Sequence, residues 1–144
     1  ETSHHIHSVI RTPEVAARAV EQAISLSRLY GTRLYILHVS SIPELELIKA
    51  AKEEGLPVYA ETSPHHLFLN DTFYKTLHGK VQMNPPLRSP EHQPALFEAI
   101  HSGVIDTVGS DHAPHTVEEK FGPYGQCLSG VPGMETNFPL LLNA

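Results

Sequence analysis

The sequence predicts an α/β fold with parallel strands. Short apolar runs typical of buried strands alternate along the chain with longer stretches in which apolar residues recur at helical spacing. Several of these longer stretches begin with a hydroxyl residue, a proline and an acid, a pattern typical of helix N-termini. Strands that alternate with helices form parallel sheets covered by those helices, so this order of elements indicates the fold class.

The first half of the chain alternates most regularly. Thr12 precedes a proline and an acid, and Ser41 precedes a glutamate at the spacing of a capping box. Gly31 and Gly55 suit the position that follows the last residue of a helix. The predicted elements are a helix over 13–30, a strand over 34–39, a helix over 42–54 and a strand over 58–61.

The second half is less regular. A loop is predicted over 62–80, with one short helix at 71–77, and a short strand follows over 81–83. The next predicted elements are a helix from 89 to about 103 and a strand over 105–109. A Gly- and Pro-rich stretch over 112–133 then leads to the start of a helix over 135–142. Three or four parallel strands do not complete a sheet, and the chain stops within an apolar segment. We therefore expect residues 1–144 to form one part of a larger domain.

Composition excludes several classes of partner. The chain has 144 residues, 40% of them hydrophobic, and a net charge of −6, which argues against sequence-independent nucleic-acid binding. No stretch approaches the ~18 apolar residues of a membrane span, and the first residues do not resemble a signal peptide. Cys127 is the single cysteine, so no intrachain disulfide forms, and a reducing, cytoplasmic location is expected.

Polar and ionisable residues are concentrated where predicted strands end. His38, Glu61 and Asp111 each end a strand, and Asn84 follows the short one. The carboxyl ends of the strands form the active-site face of a (β/α)8 barrel. An isolated histidine is more often a core residue than a metal ligand. Several strand ends that carry ionisable residues on one face of the barrel weaken that interpretation. Imidazole and carboxylate groups together bind divalent metals, which activate water for amide hydrolysis.

Five motifs in order resemble those of the class I, bacterial-type dihydroorotases, which are metal-dependent cyclic amidohydrolases. Asn84 lies 27 residues before Asp111, as in that family. The motifs cover almost the whole chain and correspond to the sixth, seventh and eighth barrel strands and the loops that follow them. They are His38–Ser41, Glu61–Leu67, Asn84–Arg88, Gly109–Thr116 with Glu118–Lys120, and Ser129–Thr136.

The resemblance implies that the chain is the C-terminal portion of a (β/α)8 barrel containing one or two Zn²⁺ ions. The implied reaction is the reversible cyclisation of N-carbamoyl-L-aspartate to L-dihydroorotate, a step of pyrimidine biosynthesis. His38 and Asp111 correspond to zinc ligands, and Asp111 is also the general acid and base. The positions that correspond to substrate contacts are Asn84, His115, Ser129 and Gly130.

Other ionisable residues of the motifs receive lesser roles. For Glu61 and His65 we favour hydrogen bonding around the metal site over direct ligation. His66 and His112 lie within motifs but are assigned no direct role. His4, His5 and His7 lie at an end of the chain, so we expect them to be exposed or to belong to a truncated loop.

Part of the implied site lies outside this sequence. The His-x-His pair of the first strand, the bridging lysine or aspartate of the fourth and the histidine of the fifth would all precede Glu1 by the family's spacing. With only His38 and Asp111, a 144-residue chain on its own is expected neither to retain zinc nor to catalyse. It would also expose unpaired strand edges. A homodimer is suggested by analogy with relatives alone.

Three alternatives remain open. Allantoinases and hydantoinases share the barrel and the metals, but their substrates have no ring carboxylate for His115 to recognise. A non-catalytic relative acting as a structural partner would be indicated by loss of His38 or Asp111, and both residues are present. A metal-buffering module is disfavoured because the histidines are dispersed along the chain.

Overall fold

The structure is a computed structural model, and it describes residues 3–144. The three strands are β1 (Leu34–Ile36), β2 (Val58–Thr62) and β3 (Thr107–Val108). The α-helices are α1 (Ile6–Ile10), α2 (Pro13–Tyr30), α3 (Ile42–Glu53), α4 (Pro64–Phe68), α5 (Tyr74–Leu77), α6 (His92–His101), α7 (Val117–Lys120) and α8 (Asn137–Leu142). Two 3₁₀ helices, Asp71–Phe73 and His78–Val81, flank α5.

The strands form one parallel sheet in the order β1-β2-β3. Leu34 is paired with Val58, and Glu61 is paired with Thr107. Helix α3 connects the first two strands, and α4 to α6 lie between the second and the third. This arrangement confirms the predicted α/β class with parallel strands.

β1 and β3 are shorter than predicted, whereas β2 extends one residue beyond its predicted end, to Thr62. β1 ends at Ile36, before His38, whose φ of 42° lies outside the extended region that a strand needs. The strand predicted over 81–83 is wrong. Val81 ends a 3₁₀ helix, and the carbonyl of Gln82 accepts a hydrogen bond from the Gly130 N–H at 2.9 Å instead of joining the sheet.

The helix signals were partly correct. Thr12 caps α2, and Gly31 follows that helix with a φ of 65°. The capping box expected at Ser41 does not form, because the Ser41 hydroxyl donates to the Glu44 carboxylate at 2.6 Å instead of accepting from the helix backbone. A capping box is found at Thr116 at the start of α7. Helices α1 and α4 were not predicted from the sequence.

The main core lies between one face of the sheet and helices α2, α3 and α6. Alternate strand residues point into it and the helices contribute one apolar stripe each, which is how a half-covered sheet buries its side chains. The buried residues of this core are Val20, Ile24, Val39, Leu45, Ile48, Ala51, Val58, Ala60, Leu67, Leu96, Ala99 and Ile105. None of the helices in residues 3–144 combines the length and the apolar character that crossing a bilayer requires.

The opposite face of the sheet is polar and partly exposed. Tyr35 and Tyr59 are neighbours in the register, and each keeps nearly half of its surface accessible, 46% and 47%. The Tyr35 hydroxyl donates to the Glu61 carboxylate at 2.8 Å and accepts from the Thr107 hydroxyl at 2.6 Å. The three strands are therefore linked across this face by side chains, and the face ends where the candidate site begins.

Candidate active site

The two predicted metal ligands follow the outer strands of the sheet in strained backbone conformations. His38 has a φ of 42° and Asp111 a φ of 45°, and His78 is the one other non-glycine residue of the described chain with a positive φ. Such a conformation costs about 1–3 kcal/mol and is found mostly at functional sites, where the surrounding structure enforces it. His38 and Asp111 therefore share a strained backbone conformation that the strand residues of the sheet do not have.

Buried polar groups hold the segment that follows His38. The carboxylate of Glu44 accepts hydrogen bonds from the Ser40 N–H at 3.1 Å, the Ser40 hydroxyl at 3.0 Å and the Ser41 hydroxyl at 2.6 Å. Arg88 donates from Nε to the Ser40 hydroxyl at 3.1 Å and from its guanidinium to the Arg11 carbonyl. All of these side chains except Arg11 are buried. The segment that follows His38 is therefore fixed on both sides.

His65 lies beside Asp111. Its Nε2 is 3.8 Å from Asp111 Oδ2, and it is buried without a hydrogen-bond partner in the described chain. Burial, with a smaller contribution from the His38 charge, lowers the pKa of His65 to about 4. His65 is therefore neutral near pH 7, and one of its nitrogens is free to donate or to accept.

The pKa of the Asp111 carboxyl group is shifted by burial and by two charged neighbours. Burial raises its pKa, the charge of Glu61 raises it further, and the charge of His38 lowers it. Glu61 lies against Gly109, since a Cβ atom at that position would be 2.2 Å from the Glu61 carboxylate. The structure thus brings His38, Glu61, His65 and Asp111 together at one edge of the sheet, as the strand ends predicted.

The donors at this edge fit part of a zinc site. Imidazole nitrogen and carboxylate oxygen atoms are common zinc ligands. His65 Nε2, which is buried near Asp111 without a hydrogen-bond partner in residues 3–144, is one such nitrogen. Within residues 3–144, however, no three histidine, cysteine, aspartate or glutamate side chains are placed to hold one metal ion. His38 and Asp111 would supply two ligands, whereas a zinc site has three or four protein ligands.

The predicted substrate residues lie in a second group. His115 Nε2 is 3.0 Å from the Ser129 carbonyl, so this nitrogen carries the proton and donates. Gly130 has a φ of 138°, and a Cβ there would be 2.7 Å from the Ala113 carbonyl oxygen and 3.0 Å from His115 Nε2. Only glycine fits at this position, which explains why the backbone of residues 129–130 approaches His115 so closely.

Asn84 contacts His7, which in turn contacts Tyr124 of the loop that leads to Ser129. His7 Nε2 donates to the Met83 carbonyl at 2.9 Å and is 3.1 Å from Asn84 Oδ1, while the Tyr124 hydroxyl lies 3.0 Å from His7 Nδ1. The expectation that the N-terminal histidines are exposed is wrong for His4 and His7, which are buried. Both lie under later parts of the chain, and local sequence carries no signal for such a contact.

Two further histidines of the motifs have distinct surroundings. His112 Nδ1 accepts from the Gly133 N–H at 2.9 Å and the Met134 N–H at 3.3 Å, so it holds the loop that follows Gly130. His66 is buried, neither ring nitrogen has a hydrogen-bond partner in residues 3–144, and burial lowers its pKa well below the usual value. The contact of His112 with residues 133–134 was not predicted from the sequence, although the position of His112 next to Asp111 indicated a role near the site.

Comparison with known proteins agrees with this geometry. The chain is 42% identical over 123 residues to a dihydroorotase of Desulfotalea psychrophila and 40% identical over 122 residues to one of Bacillus licheniformis. Each match includes 85% of this chain but only 29% and 28% of the relative, so the chain spans less than a third of the proteins it matches. No family model matches the chain.

Solved structures show the same relation in three dimensions. A dihydropyrimidinase from Brevibacillus agri superposes with a TM-score of 0.93 at 32% identity, over 98% of this chain and 32% of that one. A D-hydantoinase from Thermus sp. gives 0.94 at 30% identity, over 99% of this chain and 32% of that one. A dihydroorotase from Saccharomyces cerevisiae gives 0.78 at 23% identity over 94% of this chain and 38% of that one, which shows the fold alone.

The structural matches define the fold class of the chain, and the sequence matches define its nearer relatives. The three strands and their helices have the fold of part of a cyclic amidohydrolase (β/α)8 barrel. Among such proteins, the curated sequence relatives of this chain at about 40% identity are dihydroorotases, and the resemblance of the motifs is thereby confirmed.

Proposed function

We propose that this chain is the segment of a dihydroorotase that contains the sixth to eighth barrel strands, and that the whole protein interconverts L-dihydroorotate and N-carbamoyl-L-aspartate. The observation that carries the proposal is the convergence of two strained strand-end residues, His38 and Asp111, with His65 3.8 Å from the Asp111 carboxylate. The dihydroorotase relatives support the choice of reaction.

Zn²⁺ is the cofactor we propose, with His38 and Asp111 as two of its ligands. When bound, such an ion lowers the pKa of water and polarises a carbonyl group. The other ligands would come from outside residues 3–144. His65, neutral and buried beside Asp111, would orient the carboxylate.

Asp111 would transfer the proton of the reaction. In the hydrolytic direction, water adds to the cyclic amide carbonyl carbon, and Asp111 Oδ2 accepts the proton that the water loses. The C–N bond then breaks, and Asp111 returns the proton to the amide nitrogen.

The second group of residues would bind the substrate. Asn84 offers an amide that donates and accepts, and His115 would share its Nε2–H between the Ser129 carbonyl and the ring carboxylate of dihydroorotate. His115 and the 129–130 backbone are held together, so the loop and this histidine would bind the substrate as one unit. We further propose a small-molecule substrate in pyrimidine biosynthesis, a cytoplasmic location, no nucleic-acid or membrane partner, and a homodimer.

A hydantoinase-type cyclic amidohydrolase is the second candidate. It is favoured by the superposition on a dihydropyrimidinase and a D-hydantoinase with TM-scores of 0.93 and 0.94. The structural relatives are 30–32% identical, whereas the dihydroorotases reach 40–42%, and we therefore rank dihydroorotase first. An allantoinase and a non-catalytic relative remain further alternatives.

Substrate comparison tests the proposal directly. The whole protein that carries this segment is purified with its metal and assayed with dihydroorotate, dihydrouracil, hydantoin and allantoin, with Asp111→Asn as the inactive control. We expect kcat/KM for dihydroorotate to exceed the others by at least about a hundredfold, since a carboxylate-binding site discriminates strongly. Preference for a substrate without a carboxylate, or turnover by Asp111→Asn, would overturn it.

A further inference from the structure

Lys120 is a buried cation that neither group of site residues includes. Only 9% of its surface is exposed. Its Nζ donates to the carbonyl oxygens of Gln82 at 2.8 Å, Leu128 at 2.7 Å and Gly130 at 2.8 Å. Three hydrogen bonds use all three protons of an ammonium group. No carboxylate of residues 3–144 forms an ion pair with it, so the carbonyl groups alone compensate for its burial.

Gln82 holds the same loop through its side chain. Its Nε2 donates to the Cys127 carbonyl at 3.2 Å and the Ser129 hydroxyl at 3.1 Å, and its Oε1 accepts from the Cys127 thiol at 3.0 Å. Its carbonyl accepts from the Gly130 N–H at 2.9 Å as well as from Lys120. Gln82 is buried, and it lies two residues before Asn84.

The loop over residues 121–131 has few buried side chains. Cys127 and Val131 are its buried side chains, while Phe121, Leu128 and most of the remainder are exposed. Apolar burial therefore contributes little to the position of the loop. Its backbone is instead bound by a polar centre made of Lys120 and Gln82.

We propose that Lys120 and Gln82 are positioning residues that hold the Ser129–Gly130 backbone against His115 and in register with Asn84. The inference rests on the proposed function, in which these four residues bind the substrate. It adds that substrate affinity depends on a buried ammonium group that touches neither the substrate nor the metal ligands. His38 and Asp111 have no contact with this centre in the described hydrogen bonds, so metal content should not depend on it.

Lys120→Met in the whole protein is the decisive variant. Methionine keeps the length and apolar stem of lysine but leaves three carbonyl groups without their donor. Lys75→Met, at an exposed lysine on α5, is the matched control. Four quantities are measured for each: KM, kcat, metal per chain, and the alkylation rate of Cys127 by iodoacetamide, followed by mass spectrometry of its peptide.

The expected pattern separates loop positioning from a general role in folding. Cys127 is 5% exposed and bonded to Gln82, so loosening the loop should speed its alkylation by at least about tenfold. KM should rise by at least about tenfold, the effect of one lost hydrogen bond to a charged group. kcat should change less than about threefold, and metal content should equal that of Lys75→Met.

Unchanged alkylation and unchanged KM in Lys120→Met would overturn the proposal. A lower metal content combined with faster Cys127 alkylation would also overturn it, because Lys120 would then support the whole fold. If Lys120→Met does not fold, Gln82→Leu serves instead, and faster Cys127 alkylation with normal metal content is the supporting result. If the protein does not act on dihydroorotate, the proposed function fails, yet the alkylation rates still decide whether Lys120 positions the loop.

Discussion

Removing the Glu44 carboxylate should weaken the protein more than any single exposed charge. In Glu44→Leu, the Ser40 N–H, the Ser40 hydroxyl and the Ser41 hydroxyl lose their shared acceptor, and Arg88 loses the nearby negative charge that favours its charged form. All of these groups remain buried. Deleting one partner of a buried charged network costs about 3–5 kcal/mol, a large fraction of the ~5–15 kcal/mol that stabilises a domain.

Chemical denaturation of the whole protein measures this loss. Glu46→Leu is the matched control, because Glu46 lies on the same helix with its side chain exposed, and its change should remain within about 0.5 kcal/mol. The double variant Glu44→Leu/Arg88→Met should recover part of the loss, since a neutral apolar pair leaves no unpaired charge. A loss below about 1 kcal/mol for Glu44→Leu, or a strictly additive double variant, would refute the reasoning.

Three further predictions follow from local geometry. Gly109→Ala should lower the free energy of unfolding by about 1 kcal/mol or less, because the new methyl group displaces the Glu61 carboxylate, the end of a flexible side chain, from its hydrogen bond with Tyr35. Glu61→Ala in the same chain should remove the overlap, and thermal melts compare the three variants. His115→Ala should raise KM by about tenfold with a smaller change in kcat, because it removes the proposed substrate contact and the bond to Ser129, and an unchanged KM in steady-state kinetics would argue against that role. Acid should destabilise the protein through His66: its pKa is lowered on folding, so below pH ~6.5 the unfolded chain binds a proton that the folded chain does not, and stability falls by up to about 1.4 kcal/mol per pH unit. Denaturation of His66→Phe at pH 7 and pH 5 should show a shallower loss than the parent, and equal slopes would count against the prediction.

The longer helices and their alternation with the strands were readable from the sequence because they depend on residues close along the chain. The stripe and caps of α2 predicted its bounds, and the apolar runs predicted β1 and β2. The strand predicted over 81–83 failed because the Gln82 backbone is bonded to Gly130, 48 residues later in the sequence, and no local pattern reports such a partner. The capping box at Ser41 failed for a related reason, since Glu44 is drawn into a buried network with Ser40.

The sequence by itself determined the chemistry of the site edge. Parallel strands place their carboxyl ends together, so His38, Glu61 and Asp111 had to meet once the strand order was known. Only the tertiary structure decided which buried polar groups support that edge, because a hydrogen bond between distant residues depends on how whole elements pack. Lys120 and Gln82 are 38 residues apart, and neither their contact nor the burial of His7 follows from any spacing in the chain.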